Sequence, residues 1–291
     1  DVYKRQRLYA SDGTTQIGTF YAQNRIVVPL KKISKPMRQA VVSREDRRFF
    51  RHAGVDIQGV MRAFVATYVK KGATQGGSSL TQQYVKNVLL LQAQEDNDPI
   101  AEYHASEETV ARKLREMLIA VQMEKTYSKL EILQGYLNIA QFGRGIYGVE
   151  MAARRYFSTT ADKLDIVQAA TIAAITKNPA AFDPSVESNQ KASQRERNIV
   201  LDLMYQEEYI SQKQRDEAKA KPLKDTLKLQ DAQAGCSASG DAAFFCDYVT
   251  KKILNSKEFG KTIEERKKLL YEGGLDIYTC LLYTSDAADD M

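Results

Sequence analysis

From Arg112 to Lys219 apolar residues recur at helical spacing with only short interruptions, and this pattern constrains the fold more than any other feature. Arg112–Lys125 carries Leu114, Met117, Leu118 and Val121 on one expected inward face, and Lys129–Gln141 carries Leu130, Leu133 and Leu137. Small residues along Tyr147–Phe157 favour close helix packing. Asp165–Lys177 reads as an alanine-rich buried helix stopped by Asn178-Pro179, and helices over Val186–Tyr209 and Ser211–Lys219 follow. Upstream, Arg7–Pro29 reads as short strands and turns, and a helix opens at Pro36 and continues to Arg47. Gln92–Glu108, acidic and holding Asn97-Asp98-Pro99, is expected to be a loop. The expected fold is therefore mainly α.

The ends differ in texture. Asp1–Gln6 and Cys280–Asp290 match in-frame translations of a transposase sequencing adapter, so residues 1–6 and 280–291 are expected to be adapter-like scars outside the fold. From Pro222 onward small polar residues replace the helical pattern, and Gly274–Thr279 starts a strand. Excluding Cys280 leaves Cys236 and Cys246. In a reducing compartment these are two thiols; in an oxidising one they suit a small disulfide loop. Neither histidine has cysteine company at zinc spacing. The net charge of +5 fits an acidic phospholipid or diphosphate partner and is too slight and scattered to argue for nucleic acid. No apolar run approaches the ~20 residues that cross a bilayer. Ile57–Lys71 is amphipathic and reads either as a core-facing helix or as one dipping into a membrane surface.

Three stretches carry candidate chemistry. Glu45–Asp56 places a carboxylate pair ahead of Phe49 and Phe50, then His52 and Gly54. At helical spacing Glu45 and Phe49 share a face, an arrangement suited to proton transfer; the plainer reading is a charged helix end above two core aromatics. Gln75–Gln83 is a glycine loop feeding a helix, with Ser78 or Ser79 as N-cap and free N–H groups able to seat an anion. Ser79, Gln83 and Lys86 then form a polar stripe ending in a cation. On the third stretch Arg112 and Glu116 are either part of a site or a surface i, i+4 pair.

Together these stretches resemble the peptidoglycan glycosyltransferase domain (glycosyltransferase family 51) of class A penicillin-binding proteins. The resemblance rests on five motifs in family order: Glu45–Gly54, Gly77–Gln83, Arg112–Glu116, Lys129–Asn138 and Gly148–Phe157. It implies a lysozyme-like helical lobe and a smaller membrane-proximal lobe around Ile57–Gly77. The domain would span residues 7–221, with a connector over 222–273 and the start of a truncated transpeptidase at 274–279. It further implies an enzyme at the extracytoplasmic face of the cell membrane that polymerises lipid II into a lipid-linked glycan, with a fused transpeptidase and an N-terminal anchor lost by truncation. Glu45 matches the family's general base and Glu116 its second carboxylate. Asp46, Phe49, His52, Gly77, Ser78, Ser79, Thr81, Gln82, Gln83, Lys86, Arg112, Lys113 and Asn138 become candidate substrate contacts. No cofactor is firmly implied, although a divalent cation, Mg or Mn, is compatible with the diphosphate.

Two departures stand out. Ser79 replaces a usual threonine, and Glu108 stands where many members carry an arginine. A lysozyme-like muramidase or lytic transglycosylase is the rival enzyme; it needs an acid but no diphosphate-binding cations. A non-catalytic cell-wall scaffold would need neither carboxylate.

Overall fold

The computed structural model describes residues 6–20, 25–56, 77–96, 98–230, 236 and 240–282. The stretch Ile57–Lys71, and with it nearly all of the expected smaller lobe, lies outside the described residues. The chain divides into two units, residues 25–230 and residues 1–24 with 231–291.

The first unit is helical, as expected. Helix α1, Lys35–Glu45, starts where Ser34 Oγ accepts from Met37 N–H at 3.2 Å with Pro36 in the first turn, and it buries Met37, Ala40 and Val41. It ends at Glu45. Phe49 therefore sits in a 3-10 turn, Phe49–Arg51, and the helical face that Glu45 and Phe49 were expected to share does not form. Phe49 is fully buried, whereas its neighbour Phe50 is 53% exposed and so is not a core residue.

Helix α2, Leu80–Glu95, begins in a capping box: Gln82 N–H donates to Ser79 Oγ at 3.2 Å and Ser79 N–H to Gln82 Oε1 at 2.7 Å. The expected acidic loop is instead interrupted by helix α3, Pro99–Ser106, because the Asp98 carboxylate accepts from Ile100 and Ala101 N–H at 3.0 and 2.9 Å ahead of Pro99.

Helix α4, Val110–Thr126, is inside out relative to its sequence reading. Arg112, Glu116 and Ala120, one turn apart, are buried, while Leu114 and Leu118 are 55% and 73% exposed. Helix α5, Lys129–Ile139, buries Leu133 and Leu137 but leaves Leu130 largely exposed. Helix α6, Val149–Phe157, is followed by α7, Ile166–Ile175, capped by Asp165 and Gln168. Ala169, Ala170, Ala173 and Ala174 have no exposed surface, and these small side chains let α7 pack against both α1 and α8, Gln190–Gln206. Helices α9, Gln212–Ala220, and α10, Leu223–Thr226, complete the unit. The chain then runs back along α6: Lys228 and Gln230 N–H donate to Tyr156 and Arg155 O at 2.8 and 2.9 Å. This return places the end of the unit at Gln230, beyond the expected boundary at 221.

In the second unit β1, Gln6–Tyr9, and β2, Gln16–Phe20, pair antiparallel. Helices α11, Ala243–Asn255, and α12, Ile263–Glu272, precede β3, Asp276–Tyr278, which pairs parallel with β1 in register Leu8↔Ile277. Residues 7–20 thus belong with the C-terminal segment and not with the helical unit. Cys236 and Cys246 form a disulfide with Cα atoms 5.2 Å apart, the oxidised of the two alternatives. Adapter-like residues take part here: Gln6 is buried in β1, and Leu281 packs on the small core while its carbonyl accepts from Ser11 N–H at 2.9 Å.

Candidate active site

Glu45 is the last residue of α1, and both of its carboxylate oxygens are held. Oε2 accepts from Gln83 Nε2 at 2.6 Å and Oε1 from the Thr176 hydroxyl. Gln83 in turn accepts from the Tyr136 phenol at 3.4 Å; burial, with the Glu45 carboxylate as a second cause, pushes that phenol well above its usual range, so it stays a neutral donor. The neighbours of the two contact residues are also tied together: Arg44 and Lys177 both reach Glu196 on α8, at 3.1 and 2.9 Å.

Asp46, Phe49, His52, Ser79, Thr81, Gln82 and Asn138, expected as substrate contacts, serve internally as framework. Asp46 Oδ2 is 2.8 Å from His52 Nε2 and accepts from Leu80 N–H at 3.0 Å, tying the end of α1 to the start of α2. Ser79 Oγ lies 2.5 Å from Gly54 O, and position 54 takes glycine on two counts: its φ is +76°, and a Cβ there would lie 2.7 Å from the Val121 backbone. Thr81 donates to Glu124, and Lys129 sits 4.4 Å over the buried Phe49 ring. Asn138 donates to the carbonyls of Val28 and Gln134 at 2.9 and 2.8 Å and accepts from Val28 N–H at 2.9 Å.

The anion seat expected at the start of α2 is filled from within. The N–H groups of Ser79, Leu80 and Gln82 go to Gln82 Oε1, Asp46 Oδ2 and Ser79 Oγ. A carboxylate of the protein, Asp46, already occupies the positive end of the helix. Side chains able to hold an anion lie close by.

Those side chains gather on α4 and α2. Lys113 Nζ donates to Ser78 Oγ at 2.8 Å and lies 3.8 Å from Glu116. Arg112 pairs with Glu116, the two side chains being 7% and 3% exposed, and also donates to Glu107 O. This pair is buried, not the surface pair that i, i+4 spacing also allowed. Burial holds the Lys113 ammonium below the usual lysine range, with Arg112 and Lys86 pressing the same way and Glu116 and Glu108 opposing. Lys86, half-buried on α2, is thereby in electrostatic range of the pair, and Glu108 adds negative charge where an arginine was the family expectation. Gly77 and Ser78 lie half-buried just before α2.

Gln83, which holds the carboxylate, is on α2, and Ser78, which receives Lys113, lies just before the N-cap of the same helix. Sequence reading missed Thr176, which meets Glu45 across 131 residues at the end of α7, and no local signal marks it. It also missed Glu196. Among the described residues no three His, Cys, Asp or Glu side chains converge to hold a metal ion.

A carboxylate held at both oxygens and a nearby cluster of lysine and arginine are groups that a transferase could use. The chain matches the transglycosylase family over residues 13–205 and belongs to it. It is similar to penicillin-binding protein 2D of Bacillus subtilis, 34% identical over 94% of this chain and 36% of that protein. It is also similar to penicillin-binding protein 1A of Aquifex aeolicus, 35% identical over 91% of this chain and 32% of that protein. The crystal structure of penicillin-binding protein 1A from Haemophilus influenzae matches with a TM-score of 0.48 and 19% identity over 96% of this chain and 27% of that one. The chain thus spans about a third of the length of the curated relatives it matches.

Proposed function

We propose that the chain polymerises lipid II, the lipid-linked disaccharide of peptidoglycan, into glycan strands with release of undecaprenyl diphosphate. The observation that carries this reading is the Glu45 carboxylate held by Thr176 and by Gln83, the latter on the helix before whose start Ser78 receives Lys113. In the reaction the 4-hydroxyl of the acceptor sugar attacks C1 of the donor. Its O–H bond breaks and the proton passes to Glu45 as the new C–O bond forms. The bond from C1 to the diphosphate breaks, and the electron pair leaves with the diphosphate. Negative charge develops on that leaving group, and Lys113, Lys86 and Arg112 stabilise it without protonating it. Glu116 acts by holding Arg112 and Lys113 in place. A divalent cation, Mg or Mn, adds positive charge on the phosphates if it is bound there.

The cation cluster favours transfer over glycan cleavage, which requires protonation of a sugar oxygen and no diphosphate-binding charge. The exposed apolar side chains Leu114, Leu118 and Val121 of α4, with Ile100 and Tyr103 of α3, support a membrane surface as the partner through which the lipid enters. Among the described residues no helix is long and apolar enough to cross a membrane. The relatives' greater length supports a fused transpeptidase in the whole protein, and their penicillin-binding names support an extracytoplasmic, membrane-anchored location. Incubation with lipid II in detergent tests the reading. Polymer supports it, while cleavage of finished glycan alone would make the chain a muramidase or lytic transglycosylase. Binding without turnover would make it a scaffold.

A further inference from the structure

We infer that Thr176 is a positioning residue for Glu45, and that its hydroxyl keeps the carboxylate paired both before and after it takes the acceptor's proton. The inference rests on the reading of Glu45 as the base. It starts from a count of hydrogens. Thr176 Oγ1 lies within bonding reach of two acceptors, Glu45 Oε1 and Ala173 O, the latter at 2.8 Å. A hydroxyl has one hydrogen to give and can also accept. It cannot donate to both at once.

With Glu45 ionised, the carboxylate is an acceptor only, so the Thr176 hydrogen points to Oε1 and the charge makes this the stronger of its two choices. When the acceptor's proton settles on Oε1, Glu45 becomes the donor. The Thr176 oxygen then accepts from it, and the Thr176 hydrogen turns to Ala173 O. Oε1 keeps Thr176 as its partner in both states, and only two hydrogens have moved. The other partner cannot do this, because the Gln83 Nε2 that faces Oε2 only donates.

The surroundings make Thr176 a fixed point. It caps the C-terminus of α7, a helix with almost no exposed surface, and its neighbour Lys177 is bonded to the same Glu196 that holds Arg44, the residue before Glu45. One carboxylate on α8 thereby ties together the two segments that must stay in register. Fixing both carboxylate oxygens leaves their remaining lone pairs in set directions, which is what a base needs if it is to meet a hydroxyl at hydrogen-bond distance.

The test uses the whole chain with lipid II in detergent. Thr176→Val keeps the shape and removes the hydroxyl; kcat should fall roughly 10- to 100-fold with KM within about twofold, the scale of a misplaced reacting group. Thr176→Ser should restore kcat to within about threefold. Thr176→Val added to Glu45→Gln should slow the enzyme no further, because the two act as one unit. If Thr176→Val loses its helical circular dichroism, Thr176→Ala supplies the same comparison. Parental kcat in the hydroxyl-free variant, alongside an inactive Glu45→Gln, overturns this inference and leaves the base assignment standing. So does a Thr176→Ser variant as slow as Thr176→Val. An active Glu45→Gln overturns the base assignment itself.

Discussion

Glu116 has two roles that can be separated by measurement, because its carboxylate is both the partner of a buried arginine and a neighbour of Lys113. Its side chain is 3% exposed, and that of Arg112 is 7% exposed. Glu116→Ala removes the carboxylate and leaves the guanidinium buried with the Glu107 carbonyl as its remaining partner in the site. Breaking a buried pair from one side costs about 3–5 kcal/mol. Glu116→Gln keeps an acceptor at the same place and loses the charge, so its cost is that of one charge-assisted hydrogen bond, about 1.5–3 kcal/mol. Urea denaturation followed by circular dichroism of the helical unit measures both. The order Ala below Gln below parent is expected, with binding of a lipid diphosphate analogue weakened in both variants because Arg112 and Lys113 are no longer held in place. A Glu116→Ala protein within 0.5 kcal/mol of the parent on the scale of surface substitutions would refute the buried-pair account.

The cation side and the lipid side make separate predictions. Because burial lowers the Lys113 pKa and a bound anion opposes that shift, diphosphate affinity should decline as pH rises through the free protein's Lys113 pKa, starting below the ordinary lysine range. Titration calorimetry with a diphosphate should show this decline in the parent and not in Lys113→Arg, whose charge persists. A decline that persists unchanged in Lys113→Arg would move the effect to another group. Leu118→Asp, at a position 73% exposed, should fold normally yet reduce flotation with anionic liposomes. Unchanged flotation would remove this face of α4 from the membrane contact.

Much of the helical unit was legible because its segments are long and periodic. α5, α7 and α9 lie close to their expected positions, and Asp165 and Ser211 cap helices at those starts. What failed did so for stated reasons. Periodicity in α4 revealed two faces but not which of them is inside, since charges can be buried where they pair, as Arg112 and Glu116 do. The acidic loop hid α3, whose start depends on a single Asp98-Pro99 cap. In the site, the motif residues Glu45, Gln83, Ser78 and Lys113 are joined in pairs by hydrogen bonds that their sequence spacing does not show. Asp46 and Ser79 look like ligands in sequence, yet they close the start of α2 from within. Thr176 could not be found at all, because it reaches Glu45 only through the packing of α7 on α1. The parallel pairing of β1 with β3 likewise joins residues far apart in the chain and leaves no local mark.

The central claim is that Glu45 takes the acceptor's proton while a separate cation cluster holds the diphosphate. The most direct measurement is the rate of lipid II polymerisation by Glu45→Gln, set beside its affinity for a lipid diphosphate analogue. Glutamine keeps the size and a carbonyl acceptor but no longer serves as a base. The account predicts a fall of roughly 10²–10⁴-fold in rate, the usual contribution of a positioned general base, with analogue affinity within about twofold of the parent because Lys113, Lys86 and Arg112 are untouched. A folded Glu45→Gln protein that polymerises at close to the parental rate would contradict it.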